Sequence, residues 1–241
     1  TIRPGVRVVP LRAPTLPPAT HTNAVILGHE TLWIVDPGTP FAPERERLLA
    51  AISDAEASGA RLKGIVLTHH HPDHIGAAAW LSEEGGWPIL AHERTRDHLS
   101  KQLQISTLLK EGDLLSGSAD PEDQWRVLHT PGHASGHIAL WEPSRRILVA
   151  GDMVASVGTI IVQPPDGHMA TYIAQLERLA ALNPSWLVPA HGEPIEDPVG
   201  HLRFYVDHRL ARERKVLGAL EHEGAPLQRV TRRAYPELPT A

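Results

Sequence analysis

The hydrophobic residues of this chain fall in short aliphatic runs broken by polar turns. Val6 to Val9, Asn23 to Leu27 and Leu32 to Val35 predict strands, with Gly28-His29-Glu30 turning between the last two. Pro43-Glu44-Arg45-Glu46 opens a helix to about Ala57: proline suits a first turn, glutamates suit the positive end of the dipole, and Leu48, Leu49 and Ile52 recur at helical spacing. Leu62 to Leu67 predicts the next strand, Ala77 to Leu81 a helix, Pro88 to Ala91 a strand and Glu93 to Leu99 a short helix. Ile105 to Pro121, broken by Gly112-Asp113 and Gly117, reads as loop. A second series follows, with strands at Trp125 to His129, His137 to Trp141 and Arg146 to Ala150. Its helix spans Tyr172 to Leu182, with Ile173, Leu176, Leu179 and Ala180 on one stripe, and Trp186 to Val188 is its last strand. Strands and a helix in both halves predict an α/β architecture of two sheet-plus-helix layers packed face to face.

Beyond Pro198 the character changes. His201 to Glu221 reads as one long helix, striped by Leu202, Val206, Leu210, Leu217 and Leu220 and stopped by Gly224, and Leu227 to Tyr235 as a shorter one. From residue 201 onward there are eight Lys or Arg and five Asp or Glu, a mixed charge expected of a solvated helix face. The expected division is therefore residues 1–200 as the main domain and 201–241 as a helical extension.

Composition narrows the chemistry. A hydrophobic fraction of 41% over 241 residues supports one sizeable core, and a formal charge of −5 gives no overall attraction to nucleic acid or anionic membrane. The absence of cysteine excludes disulfides and thiolate ligands, so a transition-metal site must draw on the carboxylates and the 16 histidines. The longest apolar region, Ile147 to Val162, is interrupted by Asp152 and too short for a bilayer, and Thr1 to Gly5 lacks the apolar segment of a signal peptide. A cytoplasmic location and no membrane partner are expected, although Thr1 rather than Met leaves a processed N-terminus open.

The densest chemistry is Thr68-His69-His70-His71-Pro72-Asp73-His74-Ile75-Gly76, between a buried strand and a helix. Imidazole and carboxylate are the usual ligands of zinc and its neighbours when no thiolate is present. His69 and His71, two apart on an extended strand end, point to one side, while Pro72 turns the chain so that Asp73 and His74 face a second position. His70 points away by alternation. Asp73, at a helix start, is kept ionised by the dipole.

This stretch resembles the H-x-H-x-D-H signature of the metallo-β-lactamase superfamily. Asp36 in Asp36-Pro37-Gly38, His133 in Thr130-Pro131-Gly132-His133, Asp152 in Gly151-Asp152 and His191 in Ala190-His191-Gly192 follow in that family's order. The resemblance covers about residues 20 to 200 and implies a four-layer αββα sandwich with its site at one edge between the sheets. It further implies that His69, His71 and His133 hold one metal, that Asp73, His74 and His191 hold a second, and that Asp152 bridges them. Asp73, His74 and Asp152 are then the catalytic members, and Asp36 accepts a ring N–H from a ligand histidine. The implied cofactors are two zinc ions, with iron or manganese as alternatives, and a bridging hydroxide as nucleophile. His137 lines the pocket or plays a structural part. For His21, His29, His92, His98, His129, His168, His201, His208 and His222, surface or packing roles are expected.

The C-terminal stretch His208-Arg209-Leu210-Ala211-Arg212-Glu213 resembles the helix after the catalytic domain in the β-lactamase-like protein 2 family, which includes single-strand-selective endoribonucleases and polyketide-type thioesterases. That likeness casts residues 201–241 as part of an incomplete winged-helix-like module. Only three tyrosines and two phenylalanines are present to stack on bases, with six tryptophans, several of them in strand patterns that suggest core. The expected activity is hydrolysis of a small-molecule ester or thioester, in a pocket formed by the loops Ile105 to Pro121 and Thr159 to His168. Cleavage of single-stranded RNA is the runner-up, and a non-catalytic metal-binding protein the alternative outside enzymes. Oligomeric state is left open.

Overall fold

The computed structural model describes residues 2–115, 123–220 and 226–236. The first sheet has seven strands in the order β1 (Ile2–Arg3), β2 (Val6–Arg12), β3 (His21–Leu27), β4 (Thr31–Val35), β5 (Arg61–Val66), β6 (Ile89–His92) and β7 (Thr107–Leu109). Neighbours are antiparallel up to β4 and parallel from β4 to β7. The second sheet runs β12 (Trp186–Pro189), β11 (Ile147–Gly151), β10 (Ile138–Glu142), β9 (Trp125–His129) and β8 (Leu114–Leu115), with only β11 and β12 parallel.

Side chains alternate across each sheet, so each strand feeds two cores. Val25, Leu27, Val35 and Val66 face inward and pack with Trp125, Leu140, Val149 and Trp186 of the second sheet. Their neighbours Ile26, Ile34 and Ile65 face outward against Leu48 and Ile52 of α1 (Ala42–Glu56) and Leu81 of α3 (Ala78–Gly85). Leu128, Leu148 and Leu187 face the other way, against Tyr172 and Leu176 of α5 (Met169–Ala181) and Leu202 and Tyr205 of α6 (Pro198–Ala219). The result is the expected αββα sandwich. Coverage on both faces explains why several strands read as unbroken apolar runs.

Two expectations change. The stretch from Ile105 is not simply loop: β7 extends the first sheet and β8 the second, so the chain crosses between sheets here and lays an edge strand on each. Both are short and half-exposed, with only Leu109 and Leu115 buried, so they carry little hydrophobic pattern. Residues 116–121 of the expected loop, including Gly117, lie outside the described residues. The C-terminal helix starts earlier than expected, at Pro198, where the Asp197 side chain accepts the Gly200 N–H. It is described to Ala219, and the expected end at Glu221 and stop at Gly224, along with His222, lie outside the described residues. The expected division at residue 200 falls inside this helix. Near the site, α2 (Pro72–Ile75) is a separate turn before α3, and α4 (Glu93–Leu99) and α7 (Leu227–Ala234) complete the helices of the described residues.

Parallel pairing sets where the chemistry goes. Strands β4 and β5 run the same way, as do β11 and β12, and each ends at the rim shared by the two sheets. Asp36, the histidine cluster, Asp152 and His191 each follow immediately on one of those strand ends.

Candidate metal centre

The loops after β4 and β5 interlock. Asp36 adopts a left-handed backbone (φ 50°), and its carboxylate accepts the Thr68 N–H at 2.8 Å and the Thr68 hydroxyl at 2.6 Å. Gly38 allows the close approach, since a Cβ there would lie 1.8 Å from the Asp73 carbonyl oxygen.

Around this frame the structure brings all seven expected donors together in two groups, His69, His71, His133 and Asp152 in one, Asp73, His74 and His191 in the other. In the first, His69 Nε2 lies 2.9 Å from His71 Nδ1, and His133 Nε2 lies 3.2 Å from His69 Nε2 and 3.0 Å from His71 Nδ1. Asp152 spans the groups: Oδ2 is 3.4 Å from His133 Nε2, and Oδ1 is 3.3 Å from His191 Nε2 and 3.5 Å from His74 Nε2. Asp73 Oδ2 lies 3.5 Å from His191 Nε2.

The outer hydrogen bonds fix which nitrogen faces inward. The Thr68 hydroxyl gives its proton to Asp36, so at 3.0 Å its oxygen accepts the His69 Nδ1–H. His74 Nδ1–H donates to Asp36 Oδ2 at 2.8 Å, His133 Nδ1–H to the Ile161 carbonyl at 2.6 Å and His191 Nδ1–H to the His21 carbonyl at 3.0 Å. Each of these rings therefore turns Nε2 toward its neighbours. His74 Nε2 and Asp152 Oδ1 are buried with no hydrogen-bond partner among the described residues, a costly arrangement that one or more cations would satisfy. The donor set fits divalent ions with nitrogen and oxygen ligands.

Residues 17–191 match the Metallo-beta-lactamase superfamily. The chain belongs to that superfamily. A beta-lactamase-like protein 2 homolog from Caenorhabditis elegans is 30% identical over 227 residues, covering 91% of this chain and 72% of the relative. An atrochrysone carboxyl ACP thioesterase from Cryptosporiopsis sp. is 29% identical over 206 residues, covering 84% of this chain and 58% of that enzyme. The solved structure of a beta-lactamase domain protein from Burkholderia ambifaria superposes with a TM-score of 0.80 at 23% identity, over 100% of this chain and 81% of that one, and so shares the fold.

This chain concentrates titratable groups where little solvent reaches: His69, His74, His133, Asp152 and His191 are all buried. Burial, then the neighbouring His74, His133 and His71, lowers His69 well below the ordinary histidine range. Burial, then His133, brings His71 down to about 4, and burial also lowers His133. These rings stay neutral at neutral pH, as ligands must. Burial opposes charge on His74 as well, but Asp152 and Asp36 outweigh it and raise this ring well above its ordinary value; Asp152 likewise raises His191. Burial works against the Asp152 carboxylate, yet His74 and His191 hold it ionised, well below the usual range.

Other expected residues separate. His70 turns away from the centre and stacks on His98. His137 is fully buried and supports rather than lines the site: its Nε2 accepts the Asp152 backbone N–H at 3.0 Å, and its Nδ1 bonds the Thr130 hydroxyl at 2.8 Å. Thr68 and the carbonyls of His21 and Ile161 are the parts missed by sequence reasoning. A threonine beside a ligand histidine is a signal in hindsight; a backbone carbonyl leaves none.

Five of the donors, His71, Asp73, His133, Asp152 and His191, form the floor of a cavity of about 740 Å³. Its walls are Pro14 to Ala19, between β2 and β3, and Val157 to Ile161, with Gln163 and Asp166. The loop Thr159 to His168 thus contributes as expected. Residues 105–115 do not, because they are spent on pairing as β7 and β8 at the edges of the sheets.

Proposed function

We propose that this chain is a metal-dependent hydrolase cleaving an ester or thioester of a small molecule with an apolar acyl part. The observation that carries this reading is a cavity floor of five donors, His71, Asp73, His133, Asp152 and His191, with His69 and His74 buried in the same cluster, under walls of Leu16, Pro17, Val157, Ile160 and Ile161. In it, His69, His71 and His133 would hold one divalent ion and Asp73, His74 and His191 a second, with Asp152 available to both; zinc is the first choice, iron or manganese the alternatives. Such ions supply Lewis acidity and an activated water at neutral pH.

The protein's own share is placement. Asp36 and Thr68 lock the tautomers of His74 and His69, His137 fixes the backbone of Asp152, and the apolar walls seat the acyl group while shedding water. Asp73 and Asp152, the carboxylates on the cavity floor, would be suited to orient the attacking water.

Likeness to a thioesterase supports this reading over RNA cleavage. The cavity walls also carry no Lys or Arg to meet a phosphate backbone. Of the C-terminal cations, Arg209 is turned onto the Ile160 carbonyl and Arg212 lies over the Tyr235 ring. The test is an assay of protein reconstituted separately with zinc, iron and manganese on acyl thioesters and esters of increasing chain length, a lactone, a β-lactam and single-stranded RNA. Turnover of apolar thioesters or esters that stops on chelation is expected. Cleavage of RNA alone overturns the ester reading, and no turnover by fully loaded protein favours a non-catalytic metal-binding protein.

A further inference from the structure

Apart from the seven donors, another set of metal-type side chains converges on the wall of the same cavity. His70, Asp166 and His98 come from three separate segments: the loop after β5, the loop before α5, and α4. One donor atom from each lies within 4.8 Å of the others. His98 Nε2 is 3.3 Å from Asp166 Oδ1, and His70 Nε2 is 3.9 Å from Asp166 Oδ2. The two imidazoles stack at 4.1 Å between centroids and 8° between planes.

A separation of 3.9 Å is too long for a hydrogen bond. Donors sharing one ion at bond lengths of about 2.0–2.2 Å stand roughly 3.3–3.6 Å apart; the His98–Asp166 separation lies in that range and the His70–Asp166 separation of 3.9 Å is longer, so His70 must move in to share an ion. Asp166 Oδ2, the oxygen that faces His70 Nε2, is buried with no hydrogen-bond partner among the described residues. Asp166 is itself held in place, because Oδ1 accepts the Ser135 N–H at 3.1 Å.

A second stack in the chain shows the contrast. His92 lies on His129 at 4.0 Å and 8°, yet His92 Nδ1 accepts the Arg94 N–H and His129 Nε2 bonds the Ser135 carbonyl. That pair is satisfied as packing, and among the described residues no carboxylate groups with it as a possible metal ligand.

We propose that His70, His98 and Asp166 form a third divalent-metal site on the cavity wall, taking a zinc-class ion on two nitrogens and one oxygen with water completing the shell. It is weaker than the central sites, since it has only three protein donors, His98 is partly exposed, and the parallel rings must tilt for their lone pairs to converge. Metal content, and the charge of the wall that faces substrate, then depend on free zinc.

The test measures zinc equivalents by equilibrium dialysis against a series of free Zn²⁺ concentrations, followed by elemental analysis, on wild type, His98→Phe and Asp166→Asn. His98→Phe keeps an aromatic ring on His70 and removes a donor without touching the seven central ones. Asp166→Asn keeps an acceptor for Ser135 and removes the charge. Wild type is expected to bind one more equivalent at high zinc than either variant, with the tight equivalents unchanged. The site is refuted if wild type takes up no weaker equivalent or if either variant keeps it. The inference rests on the dinuclear reading only for the number of tight sites. A tight count other than two in wild type counts against that reading, while the one-equivalent difference still decides the third site.

Discussion

Asp36 shows how much one residue carries. Its left-handed backbone costs about 1–3 kcal/mol, tolerable because Asp is among the side chains that accept this conformation and because its carboxylate ties Thr68 to His74. Asp36→Asn places an amide N–H against a donor that the carboxylate now accepts. Metal affinity is expected to fall by about 10- to 100-fold with the far-UV circular dichroism unchanged; equal affinity in a competitive chelator titration removes Asp36 from the site. Asp152→Ala is expected to lose much of the bound metal and nearly all hydrolysis, and a variant with two metals and full rate means that Asp152 does not bridge. At this scale the donors were legible, the cluster from His69 to His74 by its density of ligand-type residues and His133, Asp152 and His191 by the resemblance to the family's motif order. Their hydrogen-bond partners His21 and Ile161 were not, because they act through carbonyls that every residue possesses.

Among the elements, α6 does more than extend the chain. Leu202, Tyr205 and Val206 pack into the outer core of the second sheet. The Tyr205 hydroxyl donates to the Ala155 carbonyl and accepts the Ala155 N–H, each at 3.0 Å, and Arg209 bonds the Ile160 carbonyl. The next carbonyl, Ile161, holds His133, so the helix braces the loop that orients a metal ligand. Tyr205→Phe leaves the buried Ala155 N–H without its partner, while the Ala155 carbonyl keeps His201 Nε2, and is expected to cost about 1–3 kcal/mol in denaturant unfolding. It should also weaken metal binding, whereas Leu217→Ala, on the exposed face of the same helix, should do neither; equal effects from the two variants contradict the bracing role. The long helix was legible from its stripe. Its start was not, because the capping Asp197 and the Pro198 that opens it precede the first leucine of that stripe.

Across the whole molecule, burial of so many histidines sets the pH response of metal-stripped protein. His69, His70, His71, His133 and His137 are lowered by burial, His70 and His71 to about 4, whereas the unfolded chain titrates each near 6.5. Below 6.5 the unfolded chain takes up protons that the folded chain refuses, so the stability these rings contribute is full above 6.5 and is lost as pH falls toward about 4. His74 and His191 act in the opposite sense: their folded values are raised, so they stabilise below 6.5 and lose that contribution as pH rises through those values. Burial also lowers His92 and His208, so seven rings stand against two; the urea midpoint is expected to drop steadily between pH 6.5 and 4, and a rising midpoint contradicts the balance. Among the described residues no helix is long and apolar enough to cross a membrane. The sequence by itself determined the donor types, their order and the two-layer alternation of strands and helices, since these follow from local periodicity and ligand chemistry. Only the tertiary structure decided that Pro14 to Ala19 would wall the cavity, that residues 107–115 would edge the sheets, and that His98 and Asp166 would reach His70. Those contacts join segments distant along the chain, and they exist only because parallel strands from both sheets end at one rim.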